Sequence, residues 1–236
     1  MIFWVLFLAV LFPIPTCIFR MKRYGLNWRQ TIIVYIIIST VGALGAFVGS
    51  ALADMAIGGI RLYGLMLFDA IAVPFVSKLI KHDSQRLGDF ISVPIMVVCA
   101  SAKIICLLTN CCSGIVLGYD DMQNPIRFPS QMFEILIWCA MAVFILTMEH
   151  RKRSQHMLWP VTMMWFGILR FAVDFLRAPT LKTRPLLLGM TGGKFWSLVV
   201  FVYGFIWLYI GLRKKIGRLP TLTNIAKTLI GAYVVE

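Results

Sequence analysis

The stretch Thr31-Ile32-Ile33-Val34-Tyr35-Ile36-Ile37-Ile38-Ser39-Thr40-Val41-Gly42-Ala43-Leu44-Gly45-Ala46-Phe47-Val48-Gly49-Ser50-Ala51-Leu52 contains no charged residue. At about 1.5 Å of rise per residue it is long enough, as a helix, to cross the roughly 30 Å of hydrocarbon in a bilayer. It lacks the period-two alternation of a barrel strand. Backbone amides in lipid must be satisfied within their own segment, so a helix is the remaining choice. Similar apolar runs lie on both sides, at Ile2–Phe19, Leu62–Ile80, Phe90–Leu108, Gln131–Thr147, Met157–Leu176 and Phe195–Leu212. The expectation is an all-α integral membrane protein of seven transmembrane helices, a single polytopic domain over residues 1–236 with a C-terminal tail from residue 213.

Composition agrees. Of the 236 residues 60% are hydrophobic and only 14% charged, and the mean hydropathy is +0.84. Soluble chains are about half apolar and a quarter charged, so a water-soluble globule is excluded. The first run is expected to be a permanent helix: no basic residue precedes it, and Arg20, Lys22 and Arg23 follow it where a cleaved leader has small residues.

The net charge of +13 is mostly topology and does not require a nucleic-acid partner. Short cytoplasmic loops are enriched in Lys and Arg. Basic clusters follow the first, third, fifth and seventh runs, at Arg20 to Arg29, Lys78 to Arg86, Arg151 to Arg153 and Arg213 to Arg218. The predicted orientation is therefore N-terminus outside and C-terminus cytoplasmic. One external connection departs from the pattern, since residues 177–194 carry Arg177, Lys182, Arg184 and Lys194. Such a cluster either lies against anionic headgroups or forms a site for a phosphate-bearing substrate.

Asp69, Lys103, Glu134, Arg170 and Asp174 fall inside or at the mouths of the spans, where each costs a few kcal/mol unless paired or hydrated. Arg170 and Asp174, four apart, share a helix face, and a local ion pair accounts for both. A second account is a polar cavity in which Arg170, Lys103 and Glu134 converge on a lipid headgroup, arginine's planar fork being suited to phosphate. Cys17, Cys99, Cys106 and Cys139 read as small hydrophobes in apolar helices. Cys111 and Cys112 stand where the fourth span emerges. The three histidines, His82, His150 and His156, belong to the basic loops, so no metal site is expected. No phosphate-cradling loop, dinucleotide fingerprint or serine elbow is present, and no cofactor is implied. Gly42, Gly45, Gly49 and Ser50, three and four apart, suit close helix packing. Residues 219–236 leave two options open, a short interfacial helix at Ile225 to Ile230 or an unstructured end.

Arg127-Phe128-Pro129-Ser130-Gln131-Met132-Phe133-Glu134 resembles the His-Pro-Ser-Gln-Leu-Tyr-Glu signature of bacterial prolipoprotein diacylglyceryl transferases. Trp165-Phe166-Gly167-Ile168-Leu169-Arg170-Phe171-Ala172-Val173-Asp174-Phe175-Leu176-Arg177 is similar to that family's Gly-x-x-Arg-Phe-x-x-Glu-Phe-Phe-Arg segment, and Met190-Thr191-Gly192-Gly193-Lys194 to its later Thr-x-Gly-Gln turn. The likeness covers roughly residues 40–212, in matching order and spacing. Ala102 to Gly114 aligns with the signature Gly-Arg-x-Gly-Asn-Phe-x-Asn-Gly-Glu-x-x-Gly. Lys103 stands there for the arginine and Cys106 for an asparagine, while Gly114 is retained. In Gly58-Gly59-Ile60-Arg61-Leu62-Tyr63-Gly64, Tyr63 replaces the histidine of Gly-x-x-Phe-His-Gly-Gly.

The resemblance implies transfer of a diacylglyceryl group from phosphatidylglycerol to a cysteine thiol of a lipoprotein precursor in the bacterial cell membrane, with release of glycerol phosphate. Such chemistry needs a thiolate, cations for the departing phosphate and an apolar cleft. The catalytic set so implied is Arg170 for the phosphate, Lys103 assisting it, and Tyr63 as base. A phenol ordinarily titrates near about 10, so Tyr63 needs cations such as Arg61 or Lys103 close by. Gly114, Cys106, Gln131, Glu134, Asp174 and Arg177 are the implied substrate-binding residues. Ser130 reads as the N-cap of the fifth span, with Glu134 on its first turn. Replacement of the family's histidine and arginine keeps two alternatives in view: a related phospholipid enzyme with a different acceptor, and a non-catalytic lipid-binding membrane protein.

Overall fold

The computed structural model describes residues 11–54, 62–109, 114–151, 156–177, 185–187, 190–216 and 220–231. Residues 2–10 of the first expected span, Arg61, Cys111, Cys112, Lys182 and Arg184 lie outside them.

Eight α-helices are present among the described residues: α1 (Pro13–Met21), α2 (Trp28–Asp54), α3 (Leu62–Leu79), α4 (Ser84–Leu108), α5 (Ser130–His150), α6 (Leu158–Asp174), α7 (Gly192–Ile216) and α8 (Leu222–Leu229). The first seven fall on the seven apolar runs. Five of them, α2 to α5 and α7, are long and apolar enough to cross a membrane. α6 has 17 residues and α1 has nine. The chain is an all-α membrane protein.

Side-chain distribution is inverted relative to a water-soluble bundle. Ile36, Phe75, Leu136 and Val143 are each more than half exposed, whereas Asp69, Lys103, Glu134, Glu149 and Arg170 are buried. Lipid solvates the former; polar groups must find partners inside. The apolar interior is built on Trp138, Trp159, Phe166 and Met163, with Trp138 stacked on Phe166 at 5.0 Å.

Tight seams bring the helices together. A Cβ on Gly64 would stand 2.1 Å from the Gly45 carbonyl oxygen, and one on Gly45 would stand 2.5 Å from that of Gly64, so α2 and α3 cross backbone to backbone. On the same stripe Gly42 makes room for the Asp69 carboxylate, whose Oδ1 lies 2.9 Å from the position a Cβ would take.

Boundaries differ from expectation where a capping group decides them. α4 begins at Ser84, a turn and a half before Phe90, because the Asp83 side chain accepts from the Arg86 amide at 2.9 Å. Pro129, not Ser130, is the N-cap of α5. The Pro129 carbonyl accepts the first helical amide, from Phe133 at 3.1 Å, and Ser130 stands one residue inside, its amide on the Phe128 carbonyl. Glu134 thus falls just past the first turn.

Between α4 and α5 the chain forms a hairpin of β1 (Val116–Tyr119) and β2 (Pro125–Arg127). A second one, β3 (Pro185–Leu187) with β4 (Met190–Thr191), precedes α7. The tail is helical in α8, whose Thr221 cap accepts from the Asn224 amide. α8 docks by Ile225 and Thr228, and Trp165 Nε1 donates to the Leu229 carbonyl at 3.0 Å.

Candidate functional site

Lys103, Glu134 and Arg170 lie about 6–8 Å inside the same end of the bundle, at four or five residues from their helix ends. Lys103 Nζ on α4 is 2.8 Å from Glu134 Oε2 on α5, with 6% and 0% of the two side chains exposed. Arg177, just past α6, brings Nε to 3.7 Å from Glu134 Oε1. Two turns before Arg177, Arg170 Nη2 is 3.3 Å from Asp174 Oδ1. Arg170 also acts electrostatically on Glu134, together with Lys103 and Arg177. Within these ion pairs three cations face two carboxylates, a surplus of one positive charge.

The loops hold this arrangement. Gly114 forms an antiparallel bridge with Arg177, and the Ile115 amide donates to the Leu176 carbonyl at 3.1 Å. A Cβ on Gly114 would stand 2.2 Å from the Phe128 carbonyl oxygen, so this position admits no side chain. Gly114 thereby ties the end of α6 to the approach to α5. Thr191 Oγ1 donates to Asp174 Oδ2 at 2.5 Å, which leaves Oδ1 to Arg170. Lys194 sits over the Phe175 ring at 3.7 Å, a cation–π contact that fixes one cation of the base-rich connection.

Most of the residues expected from the sequence come together here: Lys103, Glu134, Arg170, Asp174, Arg177 and Gly114. Gln131, buried, lies one turn before Glu134 on the same face of α5, and half-buried Cys106 one turn beyond Lys103 on α4. Tyr63 stands on the α2–α7 side of this end. Its hydroxyl donates to the Gly49 carbonyl at 3.2 Å and its ring stacks on Trp196 at 6.2 Å and 12°.

Two groups were not expected to take part. Thr191 is one; its position in a Thr-Gly-Gly turn was the available signal. The other is Asp69 with Cys99, deeper in the bundle at about 10 and 13 Å from their helix ends. Cys99 lies within the electrostatic reach of Lys103, Asp69, Glu134 and Arg170. Asp69 Oδ1 is buried and accepts no hydrogen bond from the described residues. An apolar reading of cysteine hid Cys99, whereas Asp69 stood out in the sequence as a carboxylate inside a span, with no spacing to tie it to the cluster.

Chemically, a buried and net-positive cluster at the mouth of a lipid-embedded bundle suits an anion brought in from the membrane plane. The family profile described as prolipoprotein diacylglyceryl transferase matches residues 4–210. A phosphatidylglycerol–prolipoprotein diacylglyceryl transferase of Wolbachia sp. subsp. Drosophila simulans (strain wRi) is 34% identical over 99 residues, covering 39% of this chain and 36% of that protein. The corresponding transferase 2 of Clostridium perfringens (strain 13 / Type A) is 25% identical over 174 residues, 69% of this chain and 66% of that protein. The chain thus spans about a third of the first relative and just under two thirds of the second. With that profile running through every helix of the site, the chain belongs to the prolipoprotein diacylglyceryl transferase family.

Proposed function

We propose that this protein transfers a diacylglyceryl group from phosphatidylglycerol to the cysteine thiol of a lipoprotein precursor, as a multi-pass protein of the bacterial cytoplasmic membrane. The observation that carries this reading is the buried Lys103–Glu134–Arg177 and Arg170–Asp174 cluster with its surplus positive charge. We read the bundle as a single domain of seven spans, N-terminus outside and C-terminus inside, with residues 213–236 as a cytoplasmic tail. That orientation puts the ion cluster at the outer leaflet, where a translocated precursor presents its thiol.

In this account the thiolate sulfur forms a bond to the terminal glyceryl carbon, the carbon–oxygen bond to phosphate breaks, and its electron pair leaves on glycerol phosphate. Arg170 holds the phosphate and Lys103 adds a second positive charge without arginine's bidentate geometry. Glu134 and Asp174 keep both cations in place while the site is empty, and Arg177, Gln131, Cys106 and Gly114 shape the pocket around the glyceryl unit. Tyr63 takes the position of the family's histidine. Its hydroxyl donates to the Gly49 carbonyl; to act as base it first gives its own proton to water, a step that needs cations nearby, and then as phenolate takes the thiol proton.

The exchange of histidine for Tyr63 and of arginine for Lys103 favours one further reading, the same headgroup displacement with a different acceptor. Purified protein in phosphatidylglycerol liposomes, given a peptide with a lipobox cysteine, separates the two. A diacylglyceryl mass increment on that peptide, absent with Arg170→Ala, supports the thiol acceptor; glycerol phosphate released with the peptide unchanged supports another acceptor.

A further inference from the structure

A second polar centre occupies the opposite, base-rich end of the bundle, independent of the transferase reading. Arg20, buried in α1, places Nη2 2.8 Å from Glu149 Oε2 at the end of α5 and donates to the carbonyls of Phe90 and Asp89 at 2.5 and 3.0 Å. Arg23 joins from the following turn, Nε 3.5 Å from Glu149 Oε1 and Nη2 on the Glu149 carbonyl. Asp89 accepts from the Trp159 amide at 3.1 Å and from those of His156 and Leu158, so its carboxylate is held by the first turn of α6. Beside this knot is a cavity of about 320 Å³ lined by Arg23, Tyr24, Arg86, Asp89, Glu149 and His156.

The knot uses its carboxylates and leaves a cation over. Glu149 is shared by two arginines, and Asp89 is satisfied by three amides. Arg86, by contrast, is exposed, and its guanidinium meets no carboxylate among the described residues. His156 also lines the cavity, its ring without a hydrogen-bond partner among them, on a backbone held at φ +66°, a conformation non-glycine residues seldom adopt. Among the described residues, what remains to be satisfied around the cavity is hydrogen-bond donors, the Arg86 cation among them.

We infer that this cavity binds the phosphate of an anionic glycerophospholipid headgroup, with Arg86, Arg23 and His156 as its donors. The volume lies at the small end of ligand sites, enough for a phosphate with a glycerol-sized substituent and too small for acyl chains. The chains therefore lie outside the bundle. Phe19 and Trp28, 84% and 53% exposed on the segment that carries Arg20, Arg23 and Tyr24, offer the apolar surface for them and mark headgroup depth. A membrane leaflet supplies anionic lipid at high local concentration to a basic cluster at its surface.

The test uses the full chain with ¹⁵N-labelled histidine in nanodiscs, with exposed His150 as internal reference. Replacing phosphatidylcholine discs by phosphatidylglycerol discs is expected to shift the His156 resonances and leave those of His150 in place, and Arg86→Glu is expected to abolish the shift. Absence of any phosphatidylglycerol-dependent shift overturns the proposal, as does a shift that survives in Arg86→Glu. Inorganic phosphate or glycerol phosphate added to phosphatidylcholine discs distinguishes the source: an equal shift from either makes the ligand a soluble anion and overturns the lipid assignment. Wild-type Arg170 and its Ala variant are expected to give the same His156 shift, since the outer site takes no part.

Discussion

Arg170 and Lys103 carry equal charge but unequal geometry, and the difference can be measured. Arg170→Lys keeps the charge and loses one of two parallel bonds to phosphate. A charge-assisted hydrogen bond contributes about 1.5–3 kcal/mol, so kcat/KM in the peptide assay is expected to fall roughly ten- to a hundredfold. Lys103→Arg is expected to raise activity or leave it unchanged, because it restores the fork that the family pattern carries at this position. Glu134 tests the other side of the balance. Glu134→Gln leaves the buried Lys103 without its carboxylate and takes one partner from Arg177, a loss of about 3–5 kcal/mol that thermal unfolding in nanodiscs detects. At this scale the sequence exposed the charged residues plainly, since each is costly in lipid. It marked Asp69 as a carboxylate inside a span but did not tie it to the cluster, because an isolated carboxylate has no sequence periodicity, and it gave Thr191 no role, because a threonine in a turn looks like any other.

Among the elements, the α2–α3 seam and the outer hairpin respond in opposite ways to change. Gly64→Ala would set a methyl group 2.1 Å from the Gly45 carbonyl oxygen, where backbone cannot yield cheaply. Overpacking of this kind costs about 1–3 kcal/mol, and the melting temperature is expected to drop while Gly118→Ala, with open space around it, changes nothing. In the hairpin, Asp120 accepts from the Asn124 side chain and from the Asn124 and Met122 amides, which holds its carboxyl below the usual range. A depressed carboxylate pKa means that the turn is favoured above the ordinary value of about 3.9 and released as pH falls through the lower folded value. Amide exchange of Met122 and Asn124 is expected to accelerate in that acid window and to be fast at every pH in Asp120→Ala. Unbroken apolar runs made the helices legible. The hairpins escaped, with strands of two to four residues too short for alternation to register, and Asp83 and Pro129 moved two helix starts because local capping outweighs hydropathy at an end.

The molecule as a whole divides into two polar ends separated by an apolar waist. Lys103, Glu134, Arg170, Asp174 and Arg177 gather at one end, Arg20, Arg23, Asp89 and Glu149 at the other, and Trp138, Trp159 and Phe166 fill the interior. Loop charges predict that the first end faces outward. A membrane-impermeant thiol reagent on intact cells should therefore label Tyr119→Cys in the hairpin and spare Lys214→Cys at the end of α7, in a background where the native Cys111, Cys112 and Cys139 are replaced. The most direct measurement of the central claim is the ratio of glycerol phosphate released to thioether formed when purified protein acts on phosphatidylglycerol and a lipobox peptide. The expected ratio is one for one, with both products lost together in Arg170→Ala. Glycerol phosphate without thioether, or neither product from a folded and lipid-loaded preparation, would contradict it.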